Sequence, residues 1–216
     1  MLSAAQFVQR FRAERASAIL RTPYEDAVRP AMEAAIRGGF KIIEFTLNTP
    51  GALREIDHFA GRPDLVVGAG TVLTPDQVDA AVGAGARFIV SPVVDEAVID
   101  RALHHGVASM PGCSTPTELL RAANAGAELQ KLFPAPASGP SFARACLGPL
   151  PQLKLVPTSG VDASNAAGWF SAGVWAVGFV APLFEERLMR ERNYDAIEAR
   201  AAELLASCAA VGDGSS

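Results

Sequence analysis

Five stretches of this sequence share one grammar: an Ala-rich run of helical character ends in Gly, turns for one or two residues, and enters a short β-branched or apolar run. They read EAAIRGGFKIIEFTL, DAAVGAGARFIVSP, DRALHHGVASMPG, RAANAGAELQKLFP and GWFSAGVWAVGFV. Glycine takes a left-handed backbone without steric cost, so Gly39, Gly85, Gly106, Gly126 and Gly173 each mark the end of a helix with a strand to follow. The first and last gaps between these glycines are about double the middle two, and each long gap holds one further strand candidate, LVVGAG over 65–70 and LKLVPTSG over 153–160. With SAIL over 17–20 the pattern is eight strands, each followed by a helix, and it predicts a closed (β/α)8 barrel of the α/β class. An open, doubly wound sheet is the competing architecture.

Helix starts agree with this reading. TPDQ from Thr74 and TPTE from Thr115 each offer Thr as N-cap, Pro at the first helical position and Gln or Glu at the third, the pattern of a capping box. The opening segment predicts an extra amphipathic helix over about 3–16 carrying Phe7 and Phe11, and 210–216 reads as a frayed tail. At 216 residues the chain suits one domain, 1–216, somewhat shorter than the roughly 250 residues typical of the barrel. No apolar run is long enough to span a bilayer, no secretion signal is expected, and Cys113, Cys146 and Cys208 are too scattered for a disulfide framework, which together fit a cytoplasmic protein. A net charge of −4 without basic clustering argues against nucleic acid and for a small-molecule partner.

In such a barrel the chemistry collects at the C-terminal ends of the strands. Those positions hold Arg21, Glu44, Thr46, Gly70, Thr71, Ser91, Pro92, Gly112 to Ser114, Lys131, Phe133, Thr158 to Gly160 and Gly178. Residues two apart on a strand share a face, so Glu44 and Thr46 go with Ile42, and Lys131 and Phe133 with Leu129. Glu44 and Lys131 can therefore both point into the barrel. There they could form a plain structural ion pair. Alternatively, desolvation makes Lys131 an amine nucleophile toward a carbonyl, with Glu44 moving protons through formation and breakdown of the imine.

The Gly-bearing loop PTSGVDASN, with Asp162 or Ser164 as a possible N-cap, and Gly178 after the last strand together suggest a phosphate site, although Gly160 and Gly178 equally suit tight turns. His104 and His105 diverge on a helix end and cannot share a metal; no metal and no cofactor is expected. Cys113 lacks an activating histidine and reads as a packing residue, as do Trp169, Phe170 and Trp175.

GFKIIEFTLNTPGA, VVGAGTVLTPDQV, ARFIVSPVVD, MPGCSTPTEL, LQKLFPA and LVPTSGV occur in that order from about Ala18 to Phe184. In order and spacing they resemble the class I aldolases that act on 2-keto-3-deoxy-6-phosphogluconate (KDPG) and 4-hydroxy-2-oxoglutarate (KHG). The resemblance implies a homotrimer that splits KDPG into pyruvate and glyceraldehyde 3-phosphate. It makes Lys131 the imine-forming lysine and Glu44 the proton shuttle. Thr71, Pro92 and Phe133 would line the pyruvyl pocket beside Thr46, Thr158 would meet the hydroxyl-bearing carbons, and Ser159, Gly160 and Gly178 the phosphate. Arg21 matches a basic residue near the substrate.

The chain departs from that pattern in three places. Asn48 stands where the family commonly has Arg, Ser159 replaces one Gly of the doubled pair, and Phe179 and Val180 stand where a serine is usual. Asn48 and PGC resemble the aldolase for the galactonate epimer (KDPGal), whereas Thr158 resembles the gluconate enzyme, so the expected substrate is KDPG with KDPGal or KHG as alternatives. A barrel that uses Lys131 electrostatically in decarboxylation or epimerisation, and a barrel that binds a keto acid or sugar phosphate without turnover, are the remaining readings.

Overall fold

The strand-entry glycines Gly39, Gly85, Gly106, Gly126 and Gly173 all have positive φ in the computed structural model, which describes residues 2–209. The strands that follow them, with the three others, are β1 (Ala16–Leu20), β2 (Ile42–Thr46), β3 (Val66–Gly70), β4 (Phe88–Ser91), β5 (Ala108–Cys113), β6 (Gln130–Leu132), β7 (Leu155–Pro157) and β8 (Val177–Phe179). They run parallel in the order β7-β6-β5-β4-β3-β2-β1-β8, and a parallel bridge between Thr158 and Gly178 joins the two ends of that order. The sheet is thus a (β/α)8 barrel and not an open one.

Helix α1 (Ala4–Glu14) precedes the barrel, and α2 (Glu25–Arg37), α3 (Ala52–Ala60), α4 (Pro75–Gly83), α5 (Glu96–His104), α6 (Pro116–Asn124), α7 (Pro140–Leu147) and α8 (Ala166–Ser171) alternate with the strands. The sequence predicts one helix after β8; the structure has two, α9 (Glu186–Glu191) and α10 (Tyr194–Ala209), because Arg192 takes a left-handed φ of 55° and ends the first. The expected tail over 210–216 lies outside the described residues.

Capping chemistry sets several helix starts. Thr115 and Glu118 form the full reciprocal box ahead of α6. Thr74 caps α4 by accepting from the Gln77 N–H, but the Gln77 side chain accepts from Leu73 N–H at 2.7 Å instead of closing the box on Thr74. Ahead of α8 the cap is Asn165 and not Asp162 or Ser164, and its side chain makes no capping bond to the helix but accepts from the Asp162 N–H and donates to the Gly160 carbonyl. Asp162 Oδ1 instead accepts from the N–H groups of Ser164 and Asn165 in the preceding turn.

Because helices cover the outside and side chains fill the inside, the strands are buried on both faces. Ile42, Val66, Phe88, Val90, Ala108, Met110, Leu129, Val156 and Ala176 form the interior cluster, and Phe7, Val8 and Phe11 of α1 complete it at the N-terminal end of the barrel. Phe7 stacks on Phe88 with ring centroids 4.6 Å apart. Helix α1 is shorter than the predicted 3–16, since Ser3 caps it, Arg15 turns left-handed at φ 65°, and Ala16 already belongs to β1. Trp175 Nε1–H donates to the Val8 carbonyl at 2.9 Å, Arg12 covers the Trp175 ring, Arg15 covers Phe170, and Trp169 is buried, so these aromatics pack the helix–strand junction.

Phe7 is therefore a plug, and Phe7→Ala should cost about 3–5 kcal/mol. Urea unfolding followed by circular dichroism would show a lower midpoint with native secondary structure at zero urea; an unchanged midpoint would contradict the plug.

Candidate active site

The inward parity predicted for β2 and β6 extends to every strand. Ile19 pairs with Glu44, Glu44 with Gly68, Gly112 with Lys131, and Lys131 with Val156. Because the strands tilt, each step to the next strand climbs by about one residue, so interior layers draw on alternate strands. The register therefore puts Glu44, Val90, Lys131 and Gly178 in one layer, from β2, β4, β6 and β8. Ile19, Gly70, Gly112 and Thr158 lie above them toward the C-terminal end, and Ser17, Gly68, Met110 and Val156 lie below.

Barrel interiors are normally filled by branched side chains, yet four of these twelve positions are glycine. A Cβ on Gly70 would sit 1.9 Å from Glu44 Oε1, and one on Gly178 would sit 2.5 Å from Thr158 Cγ2. The room a side chain would take at 70 is used by the Glu44 carboxylate, and the room at 178 is used by Thr158 Cγ2 and Ile19 Cδ1.

Glu44 has no exposed surface, and neither carboxylate oxygen has a hydrogen-bond partner among the described residues. Burial pushes its carboxyl above the ordinary 4.5, while the charges of Lys131 and Arg21 pull it partly back. Lys131 is 4% exposed, with Nζ 4.7 Å from the Phe133 ring centroid. Burial pushes the ammonium below the ordinary 10.5; Glu44 opposes that shift and Arg21 adds to it. Among the described residues no direct ion pair joins Glu44 to Lys131. The two groups feel each other's charge without contact, and both lean toward their neutral forms.

The remaining sequence-derived candidates fall around this pair. Arg21 is exposed at the end of β1, and its charge reaches both Glu44 and Lys131. Thr71, just past β3, is half-buried at φ 58°, and Ser159, just past β7, is exposed at φ 57°. Left-handed conformations cost a non-glycine residue about 1–3 kcal/mol and gather where function holds them. Pro92 and Phe133 are half-buried at the ends of β4 and β6, and Asn48 is exposed in the turn after β2. Thr158 is fully buried with Oγ1 unpartnered among the described residues, Gly160 is exposed at φ 132°, and Gly178 is buried against Thr158.

Thr46 differs from the rest. Its hydroxyl donates to the Leu20 carbonyl at 3.3 Å and shares a hydrogen bond with Thr49 Oγ1 at 3.0 Å, so it ties β2 to β1. Cys113 packs outward among the helices with its thiol pushed up to about 12 by burial. His105 lies 2.6 Å from Asp79 between α4 and α5. Ser17 and Ile19 were not among the candidates, although the same parity puts them on one face with Arg21.

The family model described as KDPG and KHG aldolase matches residues 8–200. The 2-dehydro-3-deoxy-6-phosphogalactonate aldolase of Escherichia coli K12 is 36% identical over 179 residues, 82% of this chain and 87% of the relative. The 2-dehydro-3-deoxy-phosphogluconate aldolase of Pseudomonas aeruginosa is 37% identical over 157 residues, 71% of each. Among solved structures, one described as native KDPGal superposes with a TM-score of 0.81 at 33% identity, over 89% of this chain and 93% of that one. The KDPG aldolase of Legionella pneumophila, with pyruvate captured at low pH as a covalent carbinolamine, superposes at 0.80 and 30% identity, over 90% and 95%.

All three cysteines are buried, so iodoacetamide at neutral pH should leave the mass of the folded protein unchanged and add three groups after denaturation. Alkylation of Cys113 in the folded state would put its thiol in the mouth instead.

Proposed function

From membership of the KDPG and KHG aldolase family, to which this chain belongs, we propose that it cleaves KDPG to pyruvate and glyceraldehyde 3-phosphate through an imine on Lys131. The observation that carries the reading is one buried lysine and one buried, unbonded carboxylate in the same interior layer. Burial favours the amine and the carboxylic acid, which are the protonation states that carbonyl addition and its acid catalysis need.

Lys131 adds to the C2 ketone to give a carbinolamine. Glu44 protonates the departing hydroxyl, water leaves, and the iminium forms. The Glu44 carboxylate then takes the proton of the C4 hydroxyl, directly or through water. The C3–C4 bond breaks, its electrons move into the iminium to give an enamine, and the aldehyde departs. Glu44 returns the proton to the enamine carbon, and hydrolysis releases pyruvate and Lys131. No cofactor enters this sequence.

In this reading Thr71, Pro92 and Phe133 wall the pyruvyl end, and Arg21 with Asn48 meets the carboxylate. Asn48 donates hydrogen bonds but brings no charge, which leaves the charge complement to Arg21. Thr158 meets the hydroxyl-bearing carbons, and Ser159, Gly160 and Gly178 receive the phosphate. We further assign the enzyme to the cytoplasm as one homotrimeric barrel domain. Asn48 and the Escherichia coli relative favour a second reading, the galactonate epimer as substrate. Cleavage of KDPG, KDPGal and KHG side by side decides between them by kcat/KM.

Pyruvate with borohydride should add one reduced pyruvyl group to Lys131, and Lys131→Ala should lose both the adduct and turnover. Glu44→Gln should slow turnover by about 100-fold or more, the usual contribution of a positioned acid–base group. An unmodified wild-type mass, or wild-type rates in either variant, would refute the assignment.

A further inference from the structure

Arg21 is exposed at the mouth, yet the groups that hold its backbone are buried threonines: Thr22, Thr46 and Thr49. The Thr22 N–H donates to Thr49 Oγ1 at 3.4 Å, the Thr49 and Thr46 hydroxyls lie 3.0 Å apart, and the Thr46 hydroxyl donates to the Leu20 carbonyl at 3.3 Å. A hydroxyl has one proton to give, so the shorter contacts form a chain with one direction, from Thr22 through Thr49 and Thr46 to Leu20. Thr49 Oγ1 also lies 3.5 Å from the same carbonyl, which makes that contact the longer alternative.

What the chain holds is specific. The Leu20 carbonyl belongs to the peptide unit before the Arg21 Cα, and the Thr22 N–H to the unit after it. Peptide units are planar, so fixing both of them fixes φ and ψ of Arg21 together. Thr22 is tied a second time, because its Oγ1 accepts from the Tyr24 N–H at 3.2 Å. The same two hydroxyls belong to the ends of the turn after β2, where the Thr49 N–H donates to the Thr46 carbonyl at 2.8 Å and Leu47 and Asn48 lie between. No hydrogen bond or ion pair among the described residues engages the Arg21 guanidinium itself, while its charge reaches Glu44 and Lys131. A long side chain launched from a fixed backbone loses less freedom when it meets an anion, and with Asn48 uncharged that matters most at Arg21.

We propose that Thr49 is a positioning residue, whose hydroxyl together with that of Thr46 locks the backbone of Arg21 and so aims its guanidinium at the substrate carboxylate. The inference rests on the reading above that gives Arg21 that carboxylate. Thr46 and Thr49 then serve carboxylate recognition without touching the substrate. Removing the Thr49 hydroxyl breaks the chain in the middle and leaves the buried Thr22 N–H without its acceptor, so the Arg21–Thr22 peptide unit is free to turn.

Pyruvate and pyruvamide present the same kind of ketone and differ in the carboxylate, so their competition for Lys131 under cyanoborohydride reads recognition of that charge. Peptide mass spectrometry gives the ratio of the two reduced adducts, which does not depend on how much of a variant is folded. Thr49→Val and Thr49→Ala should each lower the pyruvate-to-pyruvamide ratio by about tenfold, and Thr49→Ser, which keeps the hydroxyl, should stay within about twofold of wild type. Arg21→Met should lower the ratio at least as far, and adding Thr49→Val to Arg21→Met should change it by less than about twofold, because Thr49 acts through Arg21. A merely structural role leaves the ratio unmoved. A wild-type ratio in Thr49→Val or Thr49→Ala, an equal fall in Thr49→Ser, or a further fall of about tenfold in the double variant overturns the role of Thr49 and leaves the aldolase reading standing. A wild-type ratio in Arg21→Met overturns the assignment of the carboxylate to Arg21, and absence of any pyruvate adduct on wild-type Lys131 overturns the aldolase reading; either result takes this inference with it.

Discussion

Two ionisable side chains share an apolar layer of the barrel without touching, and much of the surrounding structure can be understood from that constraint. A buried charge is costly unless it is paired and hydrogen-bonded. Contact between Glu44 and Lys131 would meet that cost by fixing both charges. Held apart, each group instead lowers its cost by moving toward neutrality, and burial shifts the two in opposite directions. Both shifts run toward an amine beside a carboxylic acid in one shielded space, which is the combination that imine chemistry requires.

The barrel maintains that separation by leaving side chains out. Gly70 gives room to the carboxylate of Glu44, and Gly178 gives room to the side chains of Thr158 and Ile19. Below, α1 closes the N-terminal end with Phe7, Val8 and Phe11, so the pair faces the loops at the other end. Thr71 and Ser159 hold left-handed conformations at that rim, a local strain the closed sheet can support.

Much of this is legible in the chain because its signals are local. A glycine after a helix acts within a few residues and marks five of the strands, and the spacing of those glycines with the apolar runs over 17–20, 65–70 and 153–160 completes the eight. Alternation along one strand is also local, and it turns Glu44 and Lys131 inward. What stays hidden depends on neighbours distant in sequence. Closure of the barrel rests on the meeting of β7 with β8, through the Thr158–Gly178 bridge and the Trp175 N–H donated to the Leu155 carbonyl, and the layering of β2 with β6 follows from register across several strands. Thr46 shares a face with Glu44 by parity, yet its hydroxyl is engaged by Leu20 and Thr49. Ser17 illustrates the other limit: parity places it inside, but only the register shows that it pairs with Gly178 of β8. The split of the last helix turns on the backbone of Arg192, a residue whose type gives no warning of a left-handed turn.

Burial outweighs the attraction of Glu44 and shifts Lys131 toward its neutral amine. The most direct measurement is a pH titration of the Lys131 side chain by NMR, with selectively labelled lysine and assignment by Lys131→Arg. The account predicts a midpoint clearly below the ordinary 10.5, and a still lower one in Glu44→Gln, because removing the carboxylate removes the charge that favours the ammonium. A midpoint at or above 10.5 in the wild type would mean a structural ion pair, and it would contradict the account.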